Sequence, residues 1–116
     1  MSVIGNILIV AALVSTSAAL AAPSHLTDSQ YIAAARCQGL FDSRALGSSD
    51  ASVIDKVVKD EGATRTPDVF LRADDARSNA GREARNASPT SRSALAAERD
   101  GACQAYTGGF APHAAN

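Results

Sequence analysis

LTDSQYIAAARCQGLF, residues 26–41, decides how the 116-residue chain folds. Thr27 with Gln30 three residues on makes a T-x-x-Q capping box, in which each side chain satisfies a backbone N–H of the other residue. Leu26 and Tyr31 occupy the two positions of a hydrophobic staple across the same boundary. Two independent start signals therefore place a helix from Asp28 onward. Ala33, Ala34, Cys37, Leu40 and Phe41 recur at helical spacing, which puts Cys37 on the inner face. Gly47 is the expected stop.

Working outward, Cys37 has one possible partner, Cys103. Whether the two pair depends on compartment, and the N-terminus speaks to that. Val3 to Ala21 reads VIGNILIVAALVSTSAALA, an apolar core followed by small residues. Ala19 and Ala21 fit the two small-residue pockets of signal peptidase, which predicts a signal peptide over 1–21 and Ala22 as the new N-terminus. No Lys or Arg precedes the core, so the terminal amine supplies the only positive charge there. The alternative is an uncut membrane anchor, since the segment is about as long as a spanning helix requires. Its Ser, Thr and Ala-rich second half suits cleavage better than lipid. No Cys follows the core, which excludes a lipoprotein site. Export predicts a periplasmic or secreted location and a Cys37–Cys103 disulfide. In the chain-entropy picture a bridge closing a loop of this size contributes about 4 kcal/mol.

That contribution matters because the rest of the composition is poor in large apolar groups. Trp is absent and aromatics are 4% of residues. Much of the apolar content is leader or alanine, which buries little area at about 25 cal/mol per Å². The formal charge of -1 gives no strong field toward nucleic acid or membrane. Arg heavily outnumbers Lys, as in a GC-rich bacterial genome. Asn86-Ala87-Ser88 is a formal glycosylation sequon, but Pro89 directly after it is unfavourable.

Three further helices are expected. Ala51 to Glu61 carries Val53, Ile54, Val57 and Val58 on one stripe, with Asp50 as cap, Gly62 as stop, and Asp55–Lys59 and Lys56–Asp60 as i,i+4 pairs. Thr66-Pro67-Asp68 starts a third, with Pro67 in the first turn. Its inner face is Val69, Phe70, Ala73, Ala76, Ala80, Ala84 and Ala87, a stripe of mostly small residues. Gly81 weakens its middle, so the segment after Ser78 either stays helical or frays, and the helix is the reading adopted. Ser88 to Ser91 breaks the pattern. The last helix spans about Arg92 to Tyr106, with Leu95, Arg99 and Cys103 facing inward and Gly108-Gly109 as its end. Residues 22–26 are expected to form a disordered lead, 27–107 the helical domain and 108–116 a flexible tail.

The expected fold is all-α: a small bundle of about four helices, with one disulfide joining the first and last. This outline resembles acid-stress chaperones of enteric bacteria and several small inhibitor or immunity proteins. The resemblance is one of architecture, and it transfers no residue's role.

Catalytic constellations are missing from the sequence. His25 and His113 lie in the two expected tails, neither with a partner at i+3 or i+4, so no metal site is expected. CxxCH, CxxC, G-x-S-x-G and phosphate-loop motifs are absent. Asp74 and Asp75 are adjacent, but neighbours on a helix point about 100° apart and do not converge. Arg77, Arg82, Arg85, Arg92 and Arg99 interleave with acids and lack aromatics for stacking, so no nucleic-acid role is expected. Arg99 reads as structural, needing Asp42 or another carboxylate across an interface. The expected function is therefore non-enzymatic and cofactor-free: a small exported protein that binds another protein or an envelope component. A periplasmic stress chaperone is the first alternative. A membrane-anchored helical protein, touching the membrane only through an uncut leader, is the second.

Overall fold

The computed structural model describes residues 25–107. The expected leader, its cleavage residues Ala19, Ala21 and Ala22, the lead up to Ser24 and the tail from Gly108 lie outside the described residues. What is described is an all-α domain built on four principal helices: α1 (Asp28–Asp42), α2 (Ser52–Gly62), α3 (Pro67–Asn86) and α4 (Pro89–Asp100). A 3₁₀ turn (Arg44–Leu46) follows α1, and a single-turn α5 (Gln104–Thr107) follows α4.

The start of α1 is the expected one. Thr27 Oγ1 accepts from the Gln30 N–H at 3.2 Å, and Gln30 Oε1 accepts from the Thr27 N–H at 2.9 Å. The docked chain begins earlier than expected, because Leu26 is buried at 6% exposure. The disordered lead expected over 22–26 therefore does not extend to Leu26. The end of α1 also differs. Ser43 leaves helical geometry, and the 3₁₀ turn carries Leu46 into the core. Gly47, with φ of 89°, ends that turn instead of α1 and redirects the chain toward α2.

In α2 Ile54 is fully buried, Val57 and Val58 are half-buried, and Val53 faces solvent. The helix has no side-chain cap. Asp50 instead accepts from the Ser52 N–H at 3.0 Å, one residue upstream of a capping position. Lys56 and Asp60 pair at 2.7 Å as the spacing predicts. Asp55 turns to α1 and accepts from Gln38 Nε2 at 2.9 Å, which replaces the pair expected with Lys59.

The third helix runs unbroken through Gly81. Val69, Ala73, Ala80 and Ala84 are buried against α1, and the small stripe does what its size allows. At the crossing, a Cβ on Gly39 would lie 2.3 Å from the Arg77 carbonyl oxygen and 2.9 Å from Ala80 Cβ. The two backbones approach only because neither side chain intervenes. Phe70, expected on the inner face, is 51% exposed. Val69 and Ala73 already fill that side, and Phe70 is turned away from them by one helical step.

The last segment is corrected at both ends. Ser88 is a cap, its Oγ accepting from the Ser91 N–H at 3.2 Å, and Pro89 takes the first helical position, so α4 begins before Arg92. Gly101 then breaks the helix expected to continue to Tyr106. In the turn that follows, the Cys103 N–H donates to the Glu98 carbonyl at 3.1 Å. Cys103 lands fully buried, bonded to Cys37 across 66 residues of sequence. Helix α1 is the hub, packing on α3 most extensively and also on α2 and α4. Tyr31, Leu40, Ile54 and Cys103 are the largest fully buried side chains.

Candidate functional site

The two cysteines singled out in the sequence form a bridge with Cα atoms 5.7 Å apart. Both are buried, at 4% and 0% exposure, so solvent thiols do not reach them in the folded protein. Their placement marks a structural tie between the first and last helical segments. Asp74 and Asp75 both face solvent. His113 lies outside the described residues. Among the described residues no three His, Cys, Asp or Glu side chains gather closely enough to hold a metal ion.

His25, its side chain 68% exposed, touches a cluster that the sequence reading missed. Glu61 sits at the end of α2 with a side chain 7% exposed, beside Arg65 at 9%. Glu61 Oε1 accepts from the Leu26 N–H at 2.6 Å and from Arg65 Nη2 at 2.7 Å. Its Oε2 lies 3.2 Å from His25 Nδ1. Arg65 also donates to the Leu26 carbonyl at 2.6 Å, the Glu61 carbonyl at 3.0 Å and the Asp28 carboxylate at 2.7 Å. Its guanidinium carbon stands 5.0 Å from the Tyr31 ring centroid, in cation–π range. Burying an ion pair is tolerable only when its lone pairs and protons are satisfied, as they are here. The cluster fastens the chain entering α1 to the end of α2. The only signal in the sequence is a Glu and Arg four apart, which reads equally well as a surface pair.

A second cluster ties three helices together. Arg36 on α1 forks onto Glu98 of α4 at 2.7 and 2.9 Å, and onto Glu83 of α3 at 3.1 and 3.2 Å. Hydrogen bonding from Arg36 holds the Glu98 carboxyl below its ordinary range, against the opposing effect of burial. The bonds to Glu98 and Glu83 in turn raise the Arg36 guanidinium further above its ordinary value. Arg99 is buried and structural, as expected, but with different partners. It donates to the Leu46 carbonyl at 2.9 Å and to the neighbouring Asp100 at 2.9 Å. It thus closes the end of the 3₁₀ turn, while Asp42 pairs with Arg77 at 2.8 Å.

Among the described residues, every buried side-chain nitrogen or oxygen has a hydrogen-bond partner. The buried polar groups are thus committed to holding helices together. An open groove of about 380 Å³ runs between α1, α2 and α3, past Tyr31, Val58, Ala63 and Phe70. Phe70, part of its lining, is 51% exposed, and the next residue, Leu71, outside the lining, is 61% exposed. Burial raises the Tyr31 phenol above its ordinary value, with Arg65 opposing and Asp74 adding to the rise. Among the described residues no helix is long and apolar enough to cross a membrane. No family model, curated protein or solved structure matches the chain.

Proposed function

We propose that this is a small exported, non-enzymatic protein that acts by binding another protein or an envelope component through the α3 N-terminal face. The observation that carries the reading is the exposed pair Phe70 and Leu71 beside an open groove. Two large apolar side chains on a helix whose inner face is mostly alanine are not needed for the core. Aromatic anchors beside a recess are the usual centre of a protein interface. The Ser-for-Phe70 and Ser-for-Leu71 double variant tests it. Crosslinking in a periplasmic extract is expected to capture a partner with the parent chain and to lose it with F70S/L71S. Recovery of the parent as a lone monomer under all conditions would contradict the reading. Export itself rests on Val3 to Ala21, and intact mass of the exported form checks it: a mass retaining residues 1–21 favours the anchored alternative.

A periplasmic stress chaperone is supported by a separate observation, the Arg36 clamp on Glu83 and Glu98. Protonating Glu98 in acid would weaken the hold of Arg36 on α4 while the Cys37–Cys103 bridge keeps the last helical segment tethered to α1. An aggregation assay with a client protein at acid and neutral pH decides it, and no protection at either pH eliminates it.

A further inference from the structure

The arginines divide into two groups. Arg36, Arg65, Arg77 and Arg99 each hold a carboxylate. Among the described residues Arg44, Arg72, Arg82, Arg85 and Arg92 have no carboxylate within 4.0 Å. Three of these five, Arg44, Arg82 and Arg85, line one open depression of about 680 Å³ between the end of α1 and the middle of α3. Arg77 and its partner Asp42 also line it, with Asp74. Four guanidiniums thus face two carboxylates, a local surplus of two positive charges on a chain of net charge -1.

The rest of the lining is small. Gly39, Ser43, Ala45, Ser78 and Gly81 leave the floor without a large apolar side chain. A ligand here gains little from apolar burial, so hydrogen bonds and charge must supply its affinity. Guanidinium forks match phosphate oxygens two at a time, and three of them exceed what one carboxylate can satisfy. We propose that this depression binds phosphate oxygens, of a phosphate anion free in solution or of the headgroup of an anionic lipid, with Arg44, Arg82 and Arg85 as the contacting residues. The site stands on its own lining and does not rest on binding at Phe70 and Leu71.

The test uses the oxidised protein and two probes. Inorganic pyrophosphate is titrated while the arginine Nε–Hε resonances are followed by NMR. Vesicles of phosphatidylglycerol, with phosphatidylcholine as reference, are co-sedimented with the protein. Pyrophosphate is expected to shift Arg44, Arg82 and Arg85 saturably, less so at high salt. R82Q/R85Q is expected to weaken binding about tenfold or more, the worth of at least one charge-assisted hydrogen bond. R72Q/R92Q, which removes two unpaired arginines elsewhere, should bind as the parent does. Both side chains changed in the first variant are exposed, and a dispersed amide spectrum confirms its fold. R44Q alone gives a second reading of the same site. Pyrophosphate binding without sedimentation on phosphatidylglycerol identifies a soluble ligand. Sedimentation that R82Q/R85Q abolishes identifies the headgroup. Failure of both probes, equal loss in R72Q/R92Q, or binding that survives R82Q/R85Q would overturn the proposal.

Discussion

Gly39 and Gly81 both sit inside helices, and the structure assigns them opposite consequences. A methyl group on Gly39 would collide with the Arg77 carbonyl, a backbone atom that cannot move without prising α3 from α1. Gly39→Ala is expected to lower the unfolding free energy by about 2 kcal/mol or more, in the range of overpacked cores. A methyl on Gly81 meets only the far end of the Arg85 side chain, at 3.4 Å. Gly81→Ala is therefore expected to stabilise by about 0.5–1 kcal/mol through helix propensity. Urea unfolding of the two variants checks both signs. Glu61 offers a third case, because its removal leaves Arg65 buried without its main counter-charge. Glu61→Ala is expected to cost about 3–5 kcal/mol, as breaking a buried pair does, and to release Leu26. Rapid amide exchange at Leu26 and Thr27 would report that release; retained protection there would contradict the role given to Glu61.

At the scale of elements, α1 is the hub, and its Arg36–Glu98 pair is expected to make the assembly sensitive to acid. The Glu98 carboxyl is depressed in the fold from an ordinary value of 4.5. A depressed carboxyl stabilises fully above its unfolded value, and that stability is lost as pH falls through the folded value. Unfolding free energy is expected to stay level from neutrality down to about pH 5 and then to fall, with Glu98→Gln showing a shallower decline. An unchanged slope in the variant would assign the acid sensitivity to other carboxylates. Element boundaries were legible in the sequence wherever local chemistry decides them. The capping box at Thr27 and the Thr66-Pro67 start both hold. They were illegible where a distant partner decides. Residues 88–91 read as a breaker because Ser and Pro serve loops and helix starts alike. The break at Gly101 follows from where Cys103 must go. Phe70 was misplaced because the periodicity of a helix fixes a stripe only to within about one residue's width. The same uncertainty hides a candidate binding face inside an expected core.

For the whole molecule, the number of helices, their all-α assembly and the Cys37–Cys103 tie could be read from the sequence, because helical spacing and the lack of any other cysteine leave one pairing, which the expectation of export favours. The polar clusters could not be read, since Glu61, Arg65 and Arg36 resemble ordinary surface charges until the helices are placed in space. Those clusters and the bridge add to a core in which five of fifteen buried apolar residues are alanine. The largest fully buried side chains are Tyr31, Leu40, Ile54 and Cys103 alone, and the interior therefore depends on ties as well as on apolar area. The bridge spans 66 residues and should contribute about 4 kcal/mol by restricting the unfolded chain. The decisive measurement is urea unfolding of the oxidised protein beside its C37S/C103S variant. A loss of about 4 kcal/mol, with the variant largely unfolded near 37 °C, is the expected result. A variant within about 0.5 kcal/mol of the parent would contradict the dependence of this fold on its disulfide.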